Sequence, residues 1–145
     1  MKTCVTCGGK ITLVDISKQG TMRRFKSMML TVPDAIMVPT CTGCGAEYHG
    51  ATEAEAIDAS LGAKFDAILS ERGVELTKKL MVHTRLWKIE WLLGLSHGYL
   101  SKVRHKKRVP SASLVAVLAL LNADPEAFPT LESFWGVNLD EIYSK

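Results

Sequence analysis

Apolar and polar residues alternate along parts of the first fifty positions, which is the period of a β-strand. Ile11, Leu13 and Ile16 are apolar, with polar residues at positions 12 and 15 between them. Residues 23–32 and 35–40 are further strand candidates, because they are bounded by turn residues such as those at 19–20 and 32–34. The pattern therefore predicts a small β region within residues 1–52.

A helical period replaces this alternation after residue 52. Apolar residues recur three or four positions apart at Ile57, Leu61, Phe65, Ile68 and Leu69. Thr52 and Glu55 have the spacing of a capping box, and Gly73 stands where a glycine often ends a helix. We predict a linking helix over 53–73. Its apolar stripe is expected to pack against the core of a second domain. The alternative is that it packs against a partner, either another protein or a second copy of this chain.

Short helices separated by breaks are predicted for the rest of the chain, residues 74–145. Their apolar faces are formed by Leu76 and Leu80, by Ile89, Leu92 and Leu93, by Leu100 and Val103, and by Leu114, Val117, Leu118 and Leu121. Thr84, Ser96 and either Ser111 or Ser113 are the N-cap candidates, and Gly94 interrupts the series. Two short helices joined by a glycine-containing turn have the layout of a helix-turn-helix. The predicted fold class is α+β, with a small β domain before an all-α domain of about five helices.

Four cysteines stand in two pairs, Cys4-x-x-Cys7 and Cys41-x-x-Cys44, and the chain has no other cysteine. Each pair runs into glycine, which relieves the backbone where amide groups crowd the sulfurs. Two such turns supply the tetrahedral four-thiolate set of a structural zinc ion. The alternatives are a disulfide pair or a thioredoxin-like redox site. A redox site of that kind is expected between a strand and a helix, and neither cysteine pair stands in such a pattern.

We therefore predict that residues 1–52 are a zinc ribbon holding one structural Zn²⁺ per chain. Four thiolates leave no open position on the ion for a catalytic water, so the metal supplies folding energy.

Charge is distributed unevenly along the 145 residues, although the formal net charge is only +3. Residues 78–110 contain nine Lys or Arg and one Glu, for a charge of +8. The flanking segments 53–77 and 111–145 each carry −4. Such a basic block is typical of a surface that binds a polyanion, and the alternative is a solvated lysine-rich face. No apolar run approaches the ~20 residues that span a bilayer.

The stretch Trp91-Leu-Leu-Gly-Leu-Ser-His-Gly-Tyr-Leu-Ser-Lys-Val-Arg-His-Lys-Lys-Arg-Val-Pro-Ser111 resembles the helix-turn-helix of the Cro/C1-repressor (XRE) family. A zinc ribbon before an XRE domain resembles the MqsA family of antitoxins, with its YgiT-type ribbon. This resemblance implies a homodimer that represses its own operon at a palindromic site. It also implies that the zinc domain contacts a toxin protein.

The XRE frame implies which residues contact double-stranded DNA. A helix capped by Ser96 would enter the major groove, with Leu100 and Val103 facing the core and Lys102 reaching a guanine. The full set of predicted contact residues is Arg85, Lys88, Ser96, His97, Gly98, Tyr99, Ser101, Lys102, Arg104, Lys106, Lys107 and Arg108. We expect the basic turn at 104–108 to contact phosphates, and Gly98 to cost the helix about 1 kcal/mol. Trp87 and Trp91 are expected in the core or at a dimer contact.

Three classes of function follow from these features. The first is a DNA-binding transcriptional regulator, either an antitoxin-like autorepressor or a stand-alone or phage-type regulator. The second is a protein-interaction module in which DNA binding is secondary. The third is an enzyme, which we do not expect, because the sequence offers no catalytic triad, no phosphate-cradling glycine loop and no pair of carboxylates for acid–base work. Met1-Lys2-Thr3 leads directly to the first cysteine without a signal peptide, so we expect a cytoplasmic protein.

Overall fold

The computed structural model describes residues 2–143 and divides between Phe65 and Asp66 into two compact units. A small antiparallel β region lies in the N-terminal part, and six helices follow it in the sequence. The predicted α+β class is therefore confirmed at this level.

Four short strands build the β region. Strand β1 (Ile11–Asp15) pairs with β4 (Met37–Cys41), and β2 (Arg23–Phe25) pairs with β3 (Met28–Leu30), both antiparallel. In the first pair Ile11 lies opposite Cys41, which brings the end of β4 beside the chain that follows the first cysteine pair. A short 3₁₀ turn (Ile16–Lys18) follows β1, with the carboxylate of Asp15 accepting the N–H of Ser17 at 3.0 Å.

The strand candidate at 23–32 is a hairpin rather than a continuous strand. Phe25 pairs with Met28, so Lys26 and Ser27 form a two-residue loop. Lys26 has φ of 51°, the left-handed conformation that such loops need. The apolar core of this unit includes Ile16, Leu30, Val32 and Val38, together with Ile57, Leu61 and Phe65.

Helix α1 (Ala51–Met81) is longer than the predicted linking helix at both ends. It begins before Thr52, and the N–H of Gly50 donates to the carboxylate of Glu53 at 2.9 Å. The predicted capping box of Thr52 with Glu55 is therefore wrong. Gly73 does not end the helix, because α1 continues through it to Met81. The separate helix predicted around Leu76 and Leu80 is the last part of α1.

Five shorter helices complete the second unit: α2 (Leu86–Leu92), α3 (Tyr99–Arg104), α4 (Ala112–Ala123), α5 (Ala127–Trp135) and α6 (Leu139–Tyr143). Their core includes the buried side chains of Leu80, Ile89, Leu100, Leu114, Leu118 and Leu121. Ser111 caps α4 as predicted, since its hydroxyl accepts the N–H of Leu114 at 3.1 Å. The N-cap of α2 is Arg85 rather than Thr84, with no side-chain cap hydrogen bond.

Within the described part of the chain, no single helix combines the length and apolar character that a membrane crossing requires. Among the described helices, α4 and α5 taken together, as a pair bent by 118°, meet those two criteria.

Candidate metal centre and DNA-binding surface

The four cysteines come together from two turns that are far apart in the sequence. Their Sγ atoms all lie within 4.8 Å of one another. Cys4 Sγ is 3.6 Å from Cys44 Sγ, and Cys7 Sγ is 3.4 Å from Cys41 Sγ. Zn–S bonds of about 2.3 Å in a tetrahedron place sulfurs about 3.8 Å apart, close to these distances. The predicted ligands therefore cluster so that they could hold one metal ion, consistent with structural zinc.

Each turn folds around its first cysteine in a similar way. In the first turn, the N–H of Gly8 donates to the carbonyl of Cys4 at 2.8 Å. In the second, the N–H of Gly45 donates to the carbonyl of Cys41 at 3.0 Å. Gly8 and Gly45 have φ of 71° and 75°, a conformation that residues with a Cβ rarely adopt. The glycines seen in the sequence thus let the chain reverse directly after each cysteine pair.

At two other glycines the backbone passes close to sulfur and leaves little room for a Cβ. A Cβ added at Gly9 would lie 2.9 Å from Cys41 Sγ, and one at Gly43 would lie 3.2 Å from Cys7 Sγ. Both residues direct backbone N–H groups at thiols, Gly9 to Cys7 at 3.4 Å and Gly43 to Cys41 at 3.3 Å. Such donors stabilise thiolates, which are the form that binds metal. Gly43 was not singled out in the sequence.

Tyr48 adds a hydrogen bond to the cysteine cluster that the sequence did not reveal. Its hydroxyl lies 3.0 Å from Cys4 Sγ, and its backbone N–H donates to the carbonyl of Pro39 at 2.8 Å. The hydroxyl is the main reason that the pKa of Cys4 falls to about 5. The same contact raises the pKa of Tyr48 itself. Tyr48 therefore favours the thiolate of a buried ligand.

The cysteines do not ionise alike, because their charges lie within one small space. Backbone N–H groups, that of Cys44 first, lower the pKa of Cys41. The N–H of Gly9 acts to lower the pKa of Cys7 as well, but the sulfurs of Cys41 and Cys44 and partial burial outweigh it and raise that pKa to about 12. A bound dication would offset the repulsion between neighbouring thiolates. The donor set thus fits a divalent metal that prefers sulfur, such as zinc.

The second candidate site is built by α2, the turn at 93–98 and α3. Helix α3 begins at Tyr99, so the predicted start at a Ser96 cap is wrong. Gly98 occupies the N-cap with φ of 83°, and Ser96 and His97 lie in the turn before it. The predicted cost of a glycine inside the helix therefore does not apply, because left-handed backbone is the conformation that glycine adopts most easily.

Glu90 takes the capping role that was expected of Ser96. It is only 4% exposed on α2, and its carboxylate accepts the backbone N–H of Leu100 at 2.9 Å. Leu100 and Val103 are fully buried, as expected for the core-facing side of α3. One buried carboxylate thus ties the start of α3 to α2, a contact that no local sequence pattern indicates.

The predicted DNA-contact residues differ in exposure. Those that are exposed are Arg85, Ser96, His97, Lys102, Lys106, Lys107 and Arg108. Those that are half-buried are Lys88, Gly98, Tyr99, Ser101 and Arg104. Arg85 and His97 line one cavity of ≈ 570 Å³ together with Trp87 and Trp91, and Trp91 is 40% exposed.

Some of these side chains are engaged within the protein. Lys88 forms an ion pair with Asp140. The guanidinium of Arg108 lies 4.6 Å from the ring centroid of Tyr99. Arg104 approaches the sulfur of Met81, with Nη1 at 3.2 Å from Sδ.

Three lysines at the end of α3 and in the following turn are directed to solvent. Within residues 2–143, the side chains of Lys102, Lys106 and Lys107 form no hydrogen bond, ion pair or ring contact. Lys106 has φ of 58°, which turns the chain sharply after α3. The basic turn therefore presents unpaired cationic groups next to the end of a short helix.

Comparison with known protein families finds none that matches this chain, and comparison with proteins of curated function finds no significant similarity.

Proposed function

We propose that the protein is a sequence-specific DNA-binding regulator of transcription. This proposal rests mainly on the pair of helices α2 and α3 and the glycine-containing turn between them. Its apolar side is buried through Leu100 and Val103, while Lys102 and the turn at 104–108 carry exposed cations. A short helix held by one face, with a basic opposite face, has the form of a major-groove reader.

The proposed roles follow from reach and position. Lys102 lies on α3 and is the candidate to contact guanine O6 and N7. Lys106, Lys107 and Arg108 follow the helix, where contacts to phosphate fix position and register without reading sequence. The +8 charge of residues 78–110 supports attraction to DNA over the whole face.

Within this class we propose an antitoxin-like autorepressor that acts as a homodimer on a palindromic operator. The support is the resemblance of residues 91–111 to the XRE helix-turn-helix, together with four clustered cysteines in the part that precedes it. Half-sites about 34 Å apart would suit such a dimer. Zinc would stabilise the N-terminal unit, whose own apolar core is small.

Selection of bound duplexes from a random pool, using the zinc-loaded protein, tests the proposal and supplies an operator. Lys102→Ala is then expected to relax preference at one base pair and to weaken specific binding by about 1–3 kcal/mol. Lys107→Ala is expected to weaken binding to all sequences alike and to reduce the salt dependence. Lys18→Ala, which removes an exposed lysine of the β region, serves as the control.

These variants give different outcomes under the alternatives. If Lys102→Ala and Lys107→Ala change binding in the same way, the assignment of Lys102 to base reading is wrong. If Lys18→Ala weakens binding as much as either, the basic face after α3 is not the DNA site. If no sequence is enriched, the protein is not a sequence-specific regulator.

A second candidate function is a protein-interaction module, and exposed apolar side chains in the N-terminal unit favour it. Val5 is 89% exposed, Leu13 63% and Met37 51%. In the antitoxin reading the same unit would contact a toxin protein. A partner captured from native cells after nuclease treatment would support this function, and loss of every partner after that treatment would count against it.

A further inference from the structure

A cavity of ≈ 430 Å³ lies in the second unit, away from the cavity that Arg85 and His97 line. Its apolar walls come from the end of α1, from α2, from α4, from the loop between α4 and α5, and from α5. These side chains are Leu80, Leu92, Leu121, Pro125 and Phe128. Pockets of about 300–1,000 Å³ with apolar walls and a few polar groups are typical sites for small molecules.

The polar residues at this cavity include two with little-used acceptor oxygens, Asn122 and Glu132. Asn122 donates both hydrogen bonds from Nδ2, to the carbonyls of Leu76 at 3.2 Å and Leu118 at 2.9 Å. Those bonds fix the amide and leave Oδ1 as an acceptor. Glu132 is half-buried, and its carboxylate accepts only one hydrogen bond within the described chain, a long one of 3.4 Å from the N–H of Leu139.

The charges around the cavity favour a cationic occupant. The carboxylate of Glu132 has no ion-pair partner among residues 2–143. Lys88 also lines the cavity, but its ammonium is already paired with Asp140. The remaining titratable side chain is His83, which is exposed at the edge. A half-buried carboxylate beside apolar walls attracts a ligand that brings both a cation and an apolar body.

We propose that this cavity binds a small amphipathic cation, with its ring or short alkyl body against Leu92, Leu121 and Phe128. Its ammonium or amidinium group donates to Glu132, and Asn122 Oδ1 accepts a further N–H. A concave pocket between helices, with apolar walls and a few polar groups, is a common form of small-molecule site. The proposal does not depend on DNA binding, so the two can fail separately.

Benzylamine is a suitable probe, and benzoate is its anionic counterpart of similar size. Each is titrated into the zinc-loaded protein at about pH 8, where free imidazole is mostly neutral, and followed by amide and indole NMR shifts. The indole of Trp135 is a reporter, since its Nε1–H donates to the carbonyl of Leu92 at 2.9 Å. We expect saturable shifts around the cavity and a Kd for benzylamine at least tenfold below that for benzoate.

Matched variants test the assigned contacts. Glu132→Gln is expected to raise the benzylamine Kd about tenfold, whereas Glu126→Gln, exposed and outside the lining, leaves it unchanged. Thr84→Phe, which places a ring at a half-buried lining position, is expected to abolish saturable binding while amide dispersion stays native.

Several outcomes would overturn the proposal. They are equal affinity for benzoate, unchanged binding in Glu132→Gln or Thr84→Phe, shifts that lie elsewhere, and no saturation. Concentration-dependent shifts at the cavity without any probe would assign it to a second copy of the chain instead.

Discussion

Replacing Gly73 by alanine tests how α1 packs against the segment that holds α3 and α4. Gly73 is buried within α1, and a Cβ added there would lie 2.7 Å from Pro110 Cγ and 3.0 Å from Val103 Cγ1. Contacts under 3.0 Å between carbons require the structure to shift. Pro110 and Val103 are both almost fully buried, so neither has free space to move into.

Two opposing free energies decide the sign of the change. Alanine is favoured over glycine inside a helix by about 1 kcal/mol. Overpacking a tight contact costs about 1–3 kcal/mol. A proline ring is fixed to its own backbone and cannot rotate away, which places the cost in the upper part of that range. We therefore expect Gly73→Ala to lower the free energy of unfolding by about 1–2 kcal/mol.

The same helix supplies a matched control. A Cβ at Gly62 would meet only Phe25 Cζ at 3.7 Å, an ordinary van der Waals contact. Gly62→Ala should therefore raise the free energy of unfolding, by up to about 1 kcal/mol. Urea unfolding followed by far-UV circular dichroism measures both variants against the zinc-loaded parent protein.

A double-mutant cycle with Pro110→Ala identifies the cause. Removing the ring relieves the closest contact, so Gly73→Ala should cost at least about 1 kcal/mol less in the Pro110→Ala background. If Gly73 instead ended the helix in a left-handed conformation, its replacement would cost the same in both backgrounds. Stabilisation by Gly73→Ala equal to that of Gly62→Ala would refute the packing described here.

Three further substitutions test other contacts. Tyr48→Phe removes the hydrogen bond to Cys4 Sγ and should weaken zinc binding about tenfold, measured by competition with a chelating dye; an unchanged affinity would contradict the contact. The pKa of Glu47 is lowered from 4.5 mainly by hydrogen bonds from Arg23. The ionised Glu47 therefore stabilises the fold fully at pH values above the ordinary pKa, and this stabilisation is lost as the pH falls through the lowered pKa. Glu47→Gln should therefore cost about 1 kcal/mol at neutral pH and nothing in strong acid, and a pH-independent cost in urea unfolding would be inconsistent with this. Gly98→Ala should lower stability by about 1–2 kcal/mol, because φ there is 83°; a raised melting temperature would mean that Gly98 lies inside the helix.

The clustering of the four cysteines was largely predictable because its signal is local. Each C-x-x-C pair and its following glycines form one turn, so the spacing alone fixes how two thiols face one point. The hydroxyl of Tyr48 reaches Cys4 across 44 positions, and contacts between distant segments, including the antiparallel pairing of β1 with β4, bring these parts together. Gly43 was missed for the same reason, since its tight contact is with the distant sulfur of Cys7.

The helix boundaries also separate into those set by local contacts, which the sequence predicts, and those set by distant contacts, which it does not. Ser111 and Ser113 were both cap candidates, and Ser111 is the cap, since its hydroxyl accepts the N–H three residues later. Gly73 was misjudged because a glycine at the end of an apolar stripe has two uses, to end a helix or to admit another segment. Only the position of Pro110, far along the chain, decides between them. Local patterns predict elements well where the deciding contact is itself local.

The start of α3 matters most for the proposed function, since it sets which side chains reach DNA. Glu90 accepts the N–H of Leu100, and Gly98 supplies the left-handed turn before Tyr99, so the helix begins three residues after Ser96. The first turn then carries Tyr99 and Ser101, with Lys102 directly after it. Because Arg108 lies 4.6 Å over the ring of Tyr99, we expect Tyr99 to act on DNA by orienting that guanidinium toward phosphate. Base reading would then depend chiefly on Lys102, whose side chain has no partner in the described chain.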